Sequence, residues 1–246
     1  MEVEELTLNT EGGRLPAAVF WPVGIGPHPA VVVATGGLAT GSVEAYRWAG
    51  ERLAAGGYAA LVATYRAPSP YSDADDLTVA IDWLASSPRI DPQRLAIWGH
   101  SRGGIGALLT AERDNRVRAV ASICAPSDLP DYIARLGAYF PAARDSIAEF
   151  LGGLPQEIPD RYASVHLMGL AGKLTRPALL IHGTADMRVP VDQTTTLATA
   201  LKEGGNENVR LELMPGVGHF LEVGTSGYQF DNVIDLTISW LNEFLR

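Results

Sequence analysis

The chain has a single cysteine, Cys124, so no intrachain disulfide can form and cysteine usage gives no sign of an oxidising compartment. Cys124 follows the apolar run Val117–Ile123 and reads as a small buried core residue. Charge is sparse, at 19% of the 246 residues, and positive charge most of all: 19 Lys and Arg stand against 28 Asp and Glu, a formal net charge of −9. Nucleic acid and anionic membranes both require basic patches, so neither is the expected partner; a small molecule is. No stretch approaches the length of a transmembrane helix. The start, Met1-Glu2-Val3-Glu4-Glu5, has neither the basic nor the apolar region of a secretory signal, so the cytoplasm is the expected compartment. No repeat and no low-complexity segment is present. No cofactor and no metal is expected, and oligomeric state is left open.

What is present is a regular alternation. A chain of this length fits one large α/β domain and can bury most of its apolar surface without staples. Strand-like runs at Ala30–Ala34, Ala59–Thr64, Arg94–Trp98, Val117–Ile123, Ala178–His182 and Val209–Met214 are separated by helical patterns. Those patterns are Val43–Ala55, Asp73–Ala85, Arg102–Glu112, Val191–Glu203 and Gly227–Leu245. In the last of them Val233, Leu236, Trp240 and Phe244 are the expected inward face. Strands alternating with helices predict a mostly parallel sheet covered on both faces. Val3–Leu8 and Leu15–Trp21, split by Thr10-Glu11-Gly12-Gly13, predict an antiparallel hairpin at the sheet edge. Residues 127–173 break the rhythm, being rich in Pro, Gly and aromatics. Leu129–Phe140 and Arg144–Leu151 could each be helical there, and a helical cap inserted into a single domain spanning 1–246 is the expectation.

Gly99-His100-Ser101-Arg102-Gly103 matches G-x-S-x-G between a strand and a helix. That context makes a nucleophile elbow, which holds a serine hydroxyl out of the sheet. A serine hydroxyl is a weak nucleophile at neutral pH and needs a base. Of the five histidines, His219 is the candidate, in the Gly-rich loop directly after the strand Val209–Met214, where open α/β sheets build their sites. His28 sits in a Pro-flanked turn, His166 in the insertion, and His182 at a strand end. His100 is inside the elbow, too near Ser101 to serve as base but able to shape the site. The base needs an orienting carboxylate. Asp186, past the strand Ala178–His182, gives the chain order Ser101, Asp186, His219. Asp128 is the rival acid, or else a helix cap. The expected oxyanion donors are the amide of Arg102 and that of Gly37 or Leu38.

These residues resemble the prolyl-oligopeptidase-like and dienelactone-hydrolase-like branches of the α/β-hydrolases. The likeness is closest over Asp91-Pro92-Gln93-Arg94 through Gly104 and over Pro177 through Pro190, where His182-Gly183-Thr184-Ala185-Asp186-Met187-Arg188-Val189-Pro190 is similar to the acid loop of that family. The resemblance implies the α/β-hydrolase fold and a serine hydrolase. Two features depart from it. Thr35-Gly36-Gly37 stands where many relatives carry His-Gly-Gly, and 246 residues hold no room for the propeller of the family's peptidases. The expected activity is therefore hydrolysis of small acyl esters, with Tyr132, Tyr139 and Phe140 as candidate substrate lining under the cap. A small peptidase or amidase with the same triad is the alternative. An acyl-CoA thioesterase, which the stretch from Gly36 to Arg47 resembles more weakly, and a catalytically inactive binding module rank below it.

Overall fold

In the computed structural model, which describes residues 1–67, 69–224 and 227–245, eight strands form one sheet in the order β1-β2-β4-β3-β5-β6-β7-β8. Strands β1 (Glu2–Thr10) and β2 (Gly13–Trp21) form the antiparallel hairpin, and β2 also pairs antiparallel with β4 (Ala59–Ala63). From there β3 (His28–Ala34), β5 (Ile90–His100), β6 (Val117–Ile123), β7 (Ala178–Gly183) and β8 (Val209–Met214) continue in parallel.

The central strands are buried on both sides, so they are continuous apolar runs rather than alternations. Their side chains divide by the period-2 rule. Val32, Leu95 and Ile97 enter one core with Leu77, Ile81 and Leu84 of α2 (Asp73–Ser86), Ile105 and Leu108 of α3 (Arg102–Arg113), and Leu197 and Leu201 of α7 (Val191–Glu203). Val31, Val33, Ala96 and Trp98 enter the other with Ala49 and Leu53 of α1 (Val43–Ala55) and with α8 (Phe230–Phe244).

Two expectations shift here. Helix α8 starts at Phe230 rather than Gly227, because Tyr228 is held in a β-bridge to Glu222. Its buried face is Val233, Ile234, Thr237, Trp240 and Leu241, with Leu236 and Phe244 only partly covered. Thr237 tolerates the core because its hydroxyl donates to the Val233 carbonyl at 2.8 Å.

Between β6 and β7 lie α4 (Leu129–Tyr139), α5 (Pro141–Leu151), the short α6 (Pro159–Ser164) and a 3-10 turn at Leu167–Leu170. Helix α5 starts at Pro141, three residues before the sequence pattern suggested, because proline is well suited to a first helical turn.

Candidate active site

Ser101 sits at the junction of β5 and α3 with φ 54° and ψ −121°. It is a non-glycine residue in the left-handed half of backbone space, as the elbow requires. The flanking glycines have a different role from the turn-making one their positions suggest: neither is among the residues with positive φ. They are there for space. A Cβ on Gly99 would lie 2.1 Å from the Gly103 carbonyl oxygen, and one on Gly103 would lie 2.0 Å from that of Ala34. Strand β5, helix α3 and strand β3 therefore approach closely only with glycine at both places.

The loops after β7 and β8 bring the other two groups to this serine. His219 Nε2 lies 3.0 Å from Ser101 Oγ, and His219 Nδ1 lies 2.7 Å from Asp186 Oδ2. The Asp186 side chain is fully buried. Its Oδ1 accepts the amides of Arg188 and Val189, each at 2.8 Å, and its Oδ2 also lies 3.2 Å from His182 Nε2. Burial alone would raise the pKa of this carboxyl. The hydrogen bonds from His182, His219 and the Val189 amide outweigh burial and hold it below the usual carboxylate range. His182 is braced in turn, with Nδ1 2.6 Å from the Thr194 hydroxyl. Asp128 lies outside this network: its Oδ1 accepts the Asp131 amide at 3.0 Å and caps α4.

Cys124, the first residue after β6, is buried as expected but stands beside His219 and Asp186. Its thiol is within 4.8 Å of ring nitrogens of His100 and His219, and in a second grouping of His182 and Asp186. Burial pushes the thiol pKa well up, so it stays protonated.

Ser101 opens into a cavity of about 960 Å³. Gly37, Leu38 and Arg102 line it together with Ser101 and His219. Of the three aromatic residues expected to line it, the cavity takes in Tyr132, while Tyr139 and Phe140 lie outside and are 79% and 57% exposed. Helix α4 explains this. Tyr139 is two turns beyond Tyr132, about 10 Å along the axis, and Phe140 is the corner between α4 and α5. The cavity wall comes instead from Ala143, Ile147, Phe150 and Leu151 of α5. Their helical spacing in the sequence is the signal that would have found them.

The sequence profile of the prolyl oligopeptidase family matches residues 66–246, well over half of the chain. This chain belongs to the prolyl oligopeptidase family. Among individual relatives, quorum-quenching protein AidA of Acinetobacter baumannii is 35% identical over 66% of this chain and 59% of its own length. Acylamino-acid-releasing enzyme 2 of Oryza sativa subsp. japonica is 25% identical over 89% of this chain and 31% of its own. The chain thus spans less than two thirds of either relative. In three dimensions an esterase of Pyrococcus furiosus superposes with TM-score 0.76 at 18% identity, covering all of this chain and 92% of that one. At that identity the likeness speaks for fold, and the fold is that of the α/β-hydrolases. Among the described residues no helix is long and apolar enough to cross a membrane.

Proposed function

We propose that this chain is a serine esterase that hydrolyses small carboxylic esters through an acyl-enzyme. The observation that carries the reading is the continuous hydrogen-bonded line Ser101–His219–Asp186, opening into a largely apolar cavity. His219 Nε2 takes the Ser101 proton as Oγ attacks the ester carbonyl. Asp186 holds Nδ1–H and stabilises the imidazolium that forms. The amide of Arg102 and that of Gly37 or Leu38 receive the developing oxyanion. His219 then gives its proton to the departing alcohol, and water repeats the sequence to release the acid.

The lining favours esters over the substrates of an aminopeptidase. Recognition of a free substrate ammonium needs a carboxylate, and among the described residues lining the cavity there is no Asp or Glu. An amide also asks more of the site than an ester, because its amine leaving group must be protonated as it departs. Family membership and the name of the rice relative favour a second reading, cleavage of amides that carry a blocked amino group.

The test compares kcat/KM for ethyl acetate, ethyl butyrate and their aryl counterparts with that for free and N-acetylated aminoacyl anilides. Esters are expected to lead. An anilide that matched every ester would replace this reading with the peptidase one. Ser101→Ala is expected to lower kcat by roughly 10⁴- to 10⁶-fold with the fold intact. Near-native turnover by that variant would remove the triad assignment, and a wild-type chain that ignores a fluorophosphonate probe would be a binding module.

A further inference from the structure

His100, inside the elbow, is buried and has a partner on each ring nitrogen. Nδ1 lies 2.7 Å from the Tyr46 hydroxyl, and Nε2 lies 2.7 Å from the main-chain carbonyl oxygen of His219. A carbonyl only accepts, so Nε2 carries a proton. Burial, reinforced by the neighbouring His219, drives the His100 pKa down to about 3, so the ring is neutral and has one N–H. Nδ1 is therefore bare and must accept from Tyr46 Oη–H. Tyr46 Oη in turn lies against Gly36, where an added Cβ would come within 2.5 Å of it. The protons of the line are assigned: Tyr46 Oη–H to His100 Nδ1, and His100 Nε2–H to the His219 carbonyl.

This line joins α1 to the loop that carries the proposed base and packs against the Gly-rich turn after β3. The packing is tight at that turn, where a Cβ on Gly36 would lie 2.5 Å from Tyr46 Oη and 2.6 Å from the His100 carbonyl oxygen. At the far end, the His219 loop has Gly216 and Gly218 before the histidine and Leu221 at φ 63° after it. Such a loop holds its shape only through what it bonds to. Its other tethers include Gly218 N–H to the Glu222 carbonyl at 2.8 Å, Ala185 N–H to the Val217 carbonyl at 2.9 Å, Leu221 N–H to the Gly218 carbonyl at 3.1 Å and Phe220 N–H to the Glu222 carboxylate at 2.8 Å. The Phe220 bond holds the N–H side of the peptide unit that follows His219, and the bond from His100 holds its carbonyl.

We propose that His100 is a positioning residue for hydrolysis: through its Nε2–H it fixes the backbone of His219 over Ser101, and Tyr46 selects the tautomer that makes this possible. The proposal rests on the triad reading above. A misplacement of about 1 Å at a reacting group costs on the order of 100-fold in rate, so loss of this bond falls on kcat and leaves KM nearly unchanged.

Two isosteric replacements separate positioning from core filling. In His100→Gln the side-chain amide reaches the place of Nε2 and still offers an N–H to the His219 carbonyl. In His100→Asn the side-chain oxygen reaches the place of Nδ1 and accepts from Tyr46, but nothing reaches His219. With ethyl butyrate, the Asn variant is expected to lose roughly 100-fold in kcat at unchanged KM, and the Gln variant to keep kcat within about fivefold. Equal losses in the two variants, or a loss confined to KM, would overturn the proposal. A second readout does not depend on turnover. The downfield proton resonance of His219 Nδ1–H, identified by its disappearance in Asp186→Asn, should broaden in the Asn variant and persist in the Gln variant. Persistence in both would also overturn it. If the wild-type chain hydrolysed no ester or amide, the functional reading would fail while this resonance still decided the positioning role.

Discussion

Arg102 grips Asp73 through two hydrogen bonds, Nε to Oδ2 at 2.7 Å and Nη2 to Oδ1 at 2.6 Å, with side chains 6% and 1% exposed. The same guanidinium donates to the carbonyl oxygens of Ala39, Ala67 and Ser69. The residue whose amide is the expected oxyanion donor is thus clamped by its side chain to the start of α2 and to two loops. Burial pushes the Asp73 carboxyl up to about 6, against the pull of Arg102.

Breaking this pair from one side leaves a buried cation without its counter-charge. Asp73→Ala is expected to lower unfolding stability by roughly 3–5 kcal/mol. Joint replacement, Asp73→Leu with Arg102→Met, should cost less because no charge is left stranded. Urea unfolding curves of both variants check the ranking. A single variant as stable as wild type would show that the pair contributes nothing.

Asp186 and Asp128 can be ranked against each other. Asp186→Asn removes the acceptor that holds His219 Nδ1–H at 2.7 Å and should reduce kcat by roughly 10⁴-fold. Asp128→Asn touches only the cap of α4, where Asn is as good a capping residue as Asp, so activity and stability should both stay near native. Steady-state rates and melting temperatures distinguish the two, and the reverse order would move the orienting acid to Asp128.

The neutral state of His100 predicts a pH dependence of stability. An unfolded chain binds a proton at this side chain near pH 6.5, whereas the folded chain resists protonation until about pH 3. The sign follows: His100 contributes fully above pH 6.5, and stability falls as the pH is lowered through the interval below it. Between pH 6.5 and pH 5 this amounts to about 2 kcal/mol. His100→Gln has no such proton to take up. The stability difference between wild type and the Gln variant should therefore shrink by about 2 kcal/mol over that range. A difference that did not change between the two pH values would show that the ring takes up its proton alike in the folded and unfolded chain.

How far the sequence reaches can be seen by comparing residues of one site. The elbow around Ser101, and the order in which Ser101, Asp186 and His219 occur, were legible because each is written in a local pattern: a strand followed by a turn of stated composition. The alternation of apolar runs and helical stripes determined the parallel sheet and its two covered faces in the same way. The groups around that triad were not legible. Tyr46 meets His100 across 54 residues, His100 meets the His219 carbonyl across 119, and Asp73 meets Arg102 across 29. No local period specifies such meetings, because they depend on which helix faces pack against which strand ends. Tyr139 and Phe140 mark the same boundary from the other side. Their composition suggested a cavity wall, but the length and direction of α4 carry both past the cavity, and only the packed helices α4 and α5 decide that Ile147 and Phe150 take that place.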